Sequence, residues 1–182
     1  MIVIICFVIF STVSAAQMSV SIANTSVVSG SSINVPITVS GADGLGSMDV
    51  VVLFDPAELS VISVDKGALD KGLFLANSSV PGKIAISIVD PSGMSGDGAV
   101  AMLSLMVIGS PGTSSPVILN TVTAFSSKSG TDIAVVKNPG NISITSERLS
   151  IPGFSPVLVV TGIFFIVWLN LRKNVIAEEH LT

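Results

Sequence analysis

From Gly46 to Val64 apolar and polar side chains alternate along GSMDVVVLFDPAELSVISV. Met48, Val50, Val52 and Phe54 form one row, because successive side chains of a strand point to opposite faces. Asp55-Pro56 ends that strand: proline has no N–H for a ladder, and Asp before Pro favours a turn. Leu59–Val64 then resumes with β-branched residues. The opposite row of the first strand is Ser47, Asp49, Val51 and Leu53. One carboxylate beside two aliphatic side chains is an unusual make-up for a solvent-facing row.

The same reading predicts strands near Met18–Ala23, Ile33–Val39, Gly46–Phe54, Leu59–Val64, Leu73–Asn77, Lys83–Val89, Gly98–Val107, Val117–Ser127 and Asn141–Thr145, with a shorter piece at Ile133–Val136. Turn signals separate them: Ser29-Gly30-Ser31, Gly41-Ala42-Asp43-Gly44, Pro81-Gly82, Pro91-Ser92-Gly93, Pro111-Gly112 and Pro139-Gly140. Many short strands at such spacing predict an all-β antiparallel sandwich. No helix-length amphipathic period and no internal repeat interrupts it.

Two apolar segments flank this body, which is expected over residues 17–145. Ile2–Phe10 is unbroken and apolar, and Val13-Ser14-Ala15-Ala16 offers small residues for cleavage, so residues 1–16 read as a signal peptide. Residues 146–153 read as a short linker. Phe154–Leu171 carries no charge. At 1.5 Å per residue it spans about 27 Å, enough for one transmembrane helix. Trp168 near its end suits an interface, and Arg172-Lys173 after it suits the cytoplasmic side, with residues 172–182 as a cytoplasmic tail. The body is therefore expected outside the cell, secreted and membrane-anchored.

Composition narrows the chemistry. Of the 182 residues 11% are charged and the net charge is -4, so nucleic acid is not an expected partner. The single cysteine, Cys6, lies in the first apolar segment, which leaves the mature chain without a thiol. The single histidine, His180, lies beyond the second, which removes histidine triads and histidine metal sites from the body. Asp49 with Asp90, or Asp90 with Asp97, are the carboxylate pairs a glycosidase could use. The body has no Trp or Tyr to stack on sugar rings, and Phe54, Phe74 and Phe125 are assigned to the core. The run Asp90–Gly98 lacks EF-hand ligand spacing and reads as a glycine-rich turn whose Asp residues are solvated or cap turn amides. No enzyme activity, cofactor or metal is expected. Asn24-Thr25-Ser26, Asn77-Ser78-Ser79 and Asn141-Ile142-Ser143 are sequons for N-linked sugar at Asn24, Asn77 and Asn141.

The run G-x-x-D-x-x-x-x-F-D-P-x-x-L-x-V over Gly46–Val61 resembles the third-strand signature of cohesin domains, receptors for dockerin modules in cellulosome-type assemblies. The resemblance continues through Val80–Ile86, Ser92–Gly98, Leu103–Gly109, Ser114–Val117 and Gly140–Ile144, and covers about Gln17 to Thr145. It implies a nine-stranded jelly roll and a non-catalytic role: docking dockerin-bearing proteins at the cell surface, in a setting such as polysaccharide degradation. Calcium then belongs to the dockerin. The positions of Ser47 and Asp49 match those that hydrogen-bond the dockerin helix, although Ser47 stands where asparagine is common. By alternation Val51 and Leu53 share that face, and so do Lys83, Ala85, Ser87 and Val89 of a neighbouring strand, since Ile84, Ile86 and Ile88 take the core. Pro152-Gly153-Phe154 resembles the tripeptide of archaeal sorting signals, which implies an archaeal surface protein whose apolar segment is either retained or removed for a lipid anchor. Two other readings stand beside docking to a dockerin: a carbohydrate-binding module of related jelly-roll fold, and a surface adhesion or structural protein with a different partner.

Overall fold

The computed structural model describes residues 17–146. The signal peptide, most of the linker, the transmembrane segment, the sorting tripeptide and the tail lie outside the described residues. Among the described residues there are nine strands: β1 (Met18–Ile22), β2 (Thr25–Val28), β3 (Ser32–Leu53), β4 (Leu59–Lys66), β5 (Leu73–Asn77), β6 (Lys83–Val107), β7 (Ser114–Ser126), β8 (Val135–Asn138) and β9 (Gly140–Thr145).

Two long strands organise the rest. β3 and β6 pair antiparallel from Ser32↔Met106 to Leu53↔Lys83, with register shifts between Val39 and Ser47. Gly41 and Gly44 on one strand, and Gly93 and Gly96 on the other, have φ between 68° and 99°. Only glycine enters that region without strain, so both strands bend together there. The Gly41 N–H donates to Asp97 Oδ1 at 2.7 Å and the Gly44 N–H to Ser95 Oγ at 3.0 Å, which ties the two bends. The first half of β3 and the second half of β6 lie between β1 and β4 in one layer, with β8 beyond β1. Their other halves lie in a second layer, ordered β5, β6, β3, β7, β9, β2.

The all-β expectation holds, with three corrections. The strands expected at Ile33–Val39 and Gly46–Phe54 are one strand, as are those at Lys83–Val89 and Gly98–Val107. Their glycine-rich connections pair with each other at the bend instead of leaving the sheet. The sandwich is not wholly antiparallel: β1 pairs with β8, and β2 with β9, in parallel. Parallel neighbours need no tight turn between them, so turn signals could not reveal these pairs. β2 itself was not expected; its four residues owe their place to β9.

The inward rows of both layers meet in one core. Met18, Val20, Ile22, Val35, Ile37, Val39, Leu103 and Leu105 come from the first layer, and Met48, Val50, Val52, Ile84, Ile86, Ile88, Val117 and Leu119 from the second. Their burial drives the fold at about 1.5–3 kcal/mol per large side chain. Phe125 corrects an expectation: it is 42% exposed, whereas Phe54 is buried and Phe74 packs against the core.

Candidate functional site

The outer face of the second layer carries the polar row that the sequence singled out. Because Met48, Val50 and Val52 enter the core, Ser47, Asp49, Val51 and Leu53 face outward on β3. On β6 the buried Ile84, Ile86 and Ile88 turn Lys83, Ala85, Ser87 and Val89 outward. The register sets Ser47 against Val89, Asp49 against Ser87, Val51 against Ala85 and Leu53 against Lys83. All eight expected positions therefore share one surface.

Two flanking strands, both expected from the sequence but not at this face, extend that surface. On β5, Leu73 lies beside Val89, Leu75 beside Ser87 and Asn77 beside Ala85. On β7, Phe125 lies beside Ser47, Thr123 beside Asp49, Thr121 beside Val51 and Ile118 beside Leu53. One rung thus runs Leu75, Ser87, Asp49, Thr123, with a parallel rung Leu73, Val89, Ser47, Phe125. Leu73 and Leu75 are 60% and 61% exposed on an edge strand. The alternation Leu73, Leu75 around the half-buried Phe74 was the available signal for β5.

No described segment lies over this face: Asp49, Leu73, Leu75, Val89, Ile118 and Phe125 all remain exposed. Two shallow depressions flank Asp49. One, of about 280 Å³, is lined by Asp49, Val51, Leu75, Asn77, Ala85 and Ser87. The other, of about 250 Å³, is lined by Ser47, Asp49, Thr123, Phe125 and Asp132. Small side chains in the middle strands and larger apolar ones at the sides form a broad trough. Among the described residues the Asp49 carboxylate has no hydrogen-bond or ion-pair partner. It is a free acceptor in a mostly uncharged surface, with Lys83 at one end and Asp132 at the other.

The other candidate carboxylates are engaged by backbone amides. Asp90 is buried and its Oδ1 accepts the Ser92 N–H at 2.9 Å, while Asp97 holds the Gly41 amide. Neither lines a depression beside Asp49. Among the described residues no group of three or more His, Cys, Asp or Glu is placed to hold a metal.

A two-layer β-sandwich with one broad, uncovered sheet face has the form of a protein-recognition module. Residues 18–144 match the family model for the cohesin domain, and the chain belongs to the cohesin family. Among solved structures it is similar to a non-cellulosomal cohesin from the hyperthermophilic archaeon Archaeoglobus fulgidus, with 25% identity and a TM-score of 0.66 over 72% of this chain and 93% of that one. It is equally similar to the sixth cohesin of Acetivibrio cellulolyticus scaffoldin B, solved in complex with a Cel5 dockerin, with 25% identity and a TM-score of 0.65 over 70% of this chain and 99% of that one. The seventh ScaB type I cohesin from Pseudobacteroides cellulosolvens shares the fold at 20% identity, with a TM-score of 0.69 over 76% of this chain and 99% of that one. No curated protein matches the chain.

Proposed function

We propose that this cohesin is a non-catalytic docking module that binds a dockerin-bearing protein through the outer face of β5, β6, β3 and β7. The observation that carries the reading is the uncovered trough around Asp49, with a free carboxylate between Ser87 and Thr123 and exposed leucines at its edge. A helix laid along the trough would bury Leu73, Leu75, Val51 and Ala85, and would offer hydroxyl or amide donors to Asp49. The similar Acetivibrio cellulolyticus cohesin was solved with a dockerin. Calcium in such a pair belongs to the partner.

The module sits at the cell surface in this reading, exported by the N-terminal apolar segment and held by Phe154–Leu171 or by a lipid that replaces it. Polysaccharide breakdown is one setting. The archaeal relative is described as non-cellulosomal, which favours docking in another surface assembly.

The test is a titration of the full chain in detergent against dockerins encoded in the same genome, with calcium present. Saturable binding by one of them supports the proposal, and a chain that binds none overturns it in favour of a different surface partner. Protease applied to intact cells should digest the body; a protected body sinks the extracellular placement.

A further inference from the structure

We infer that Asn77 is the N-glycan acceptor of this domain and that its modification closes the face beside it. This inference rests on the docking reading for its consequence, although not for the modification itself. Three sequons occur, and the fold treats them differently. Thr25 and Ser26 of the first pair directly with Ile142 and Ser143 of the third across the β2–β9 ladder. Asn24 Oδ1 accepts the Asn141 N–H at 2.8 Å, and Asn141 Nδ2 donates to Ser143 Oγ at 3.3 Å. Those two sequons therefore lock each other into the sheet, and an enzyme that takes up either one must open the ladder.

The Asn77 sequon is free of the sheet beyond Asn77 itself. Residues 76–81 are all exposed and lead into the turn at Gly82. Asn77 Oδ1 accepts from the Ser79 N–H at 2.9 Å and from the Ser79 hydroxyl at 2.7 Å. The acceptor oxygen and the sequon hydroxyl are thus already together, and Nδ2 has no partner among the described residues. The donor class is a lipid-linked oligosaccharide phosphate. The bond between Nδ2 and the anomeric carbon forms, the bond from that carbon to the phosphate oxygen breaks, the lipid phosphate leaves with the electron pair, and the amide releases one proton.

The position gives the modification a consequence. Asn77 lies beside Ala85, which lies beside Val51, so the attachment point is two strand spacings, about 10 Å, from the centre of the trough. It also lines the depression that Asp49 and Leu75 share. A hydrated oligosaccharide rooted there covers Leu75 and Ala85 and excludes a helix from that half of the face.

The experiment uses the full chain isolated from the cells that make it, beside a Ser79→Ala form from the same cells. Ser79→Ala removes the sequon and leaves Asn77 in place. Peptide mass analysis should find the glycan at Asn77 and little at Asn24 or Asn141. Dockerin should bind the glycosylated chain about tenfold or more weakly than Ser79→Ala. Hydroxyl-radical footprinting, which needs no partner, should show Leu75 protected only in the glycosylated chain. An unmodified Asn77, or a modified Asn77 with Leu75 labelled equally in both forms, overturns the inference. Protection of Leu75 with no dockerin binding by either form supports it and instead tells against the dockerin as partner.

Discussion

Asp49 and Leu75 stand on one rung of the sheet with Ser87 between them, so along that rung a single hydroxymethyl side chain separates a free carboxylate from an exposed leucine. That pairing of a polar acceptor with an apolar edge, across a gap that a helix can fill, governs what substitutions there should do.

Asp49→Ala should weaken dockerin binding roughly ten- to hundredfold. Donors on the partner helix would be left unpaired in a buried contact, which costs about 1–3 kcal/mol. Asp49 supports nothing within the described fold, so the melting temperature should stay at the parent value. Calorimetric titration with parallel thermal melts measures both quantities, and unchanged binding would move the docking face elsewhere.

Leu75→Asp should abolish docking and leave folding intact. The side chain is 61% exposed in the free protein, so the charge is solvated until the partner arrives. In the complex it becomes an unpaired charge in a desolvated contact. Binding within threefold of the parent would remove β5 from the face.

Val52→Asp should prevent folding. Val52 is fully buried between Ile84 and Leu119 on the core side of β3. An isolated carboxylate there meets no partner, a loss of several kcal/mol in a domain of ordinary stability. Circular dichroism of the expressed variant should show no cooperative melt.

Gly72→Ala should destabilise the domain and disturb the Leu73 end of the face. A Cβ at Gly72 would stand 2.1 Å from the Val89 carbonyl oxygen and 2.8 Å from the Asp90 Cα, both backbone atoms of β6. Backbone cannot swing aside as a side chain can, so the start of β5 must shift, at about 1–3 kcal/mol. A denaturant midpoint equal to the parent's would show that the segment before β5 yields freely.

Chelator should separate the two partners. The domain's melting temperature should not respond, because the Asp90 and Asp97 carboxylates each accept a backbone amide within the bend. Dockerin binding should disappear in the same buffer. A drop of tens of degrees in the melt would place an ion in the bend of β6.

The inward and outward rows of β3 and β6 were readable because neither strand breaks phase between Ser47 and Leu53 or between Lys83 and Val89. β7 was misread at one residue for a definite reason. Val117 and Leu119 point inward, then the register slips at Asn120, since Val51 pairs with Thr121 but Val52 pairs with Leu119. After that bulge the inward residues are Ala124 and Ser126, and Phe125 turns outward. A one-residue slip exchanges the faces of a strand. Without its partner's register, Phe125 continues the row of Val117 and Leu119 and looks like core. β5 was recognised as a strand, but its place at the edge beside β6 depends on long-range pairing that no local pattern carries.

The parallel pairs β1–β8 and β2–β9 set a timetable for the chain. Asn24 waits for Asn141, 117 residues later, before its carbonyl meets the amide it holds. At 5–20 residues per second, a growing chain carries its first two strands unpaired on those edges for roughly 6–23 seconds. Closure of both layers is then one late event, with the high contact order that places β-sandwiches among slow folders. β2, among the first strands made, is the last secured.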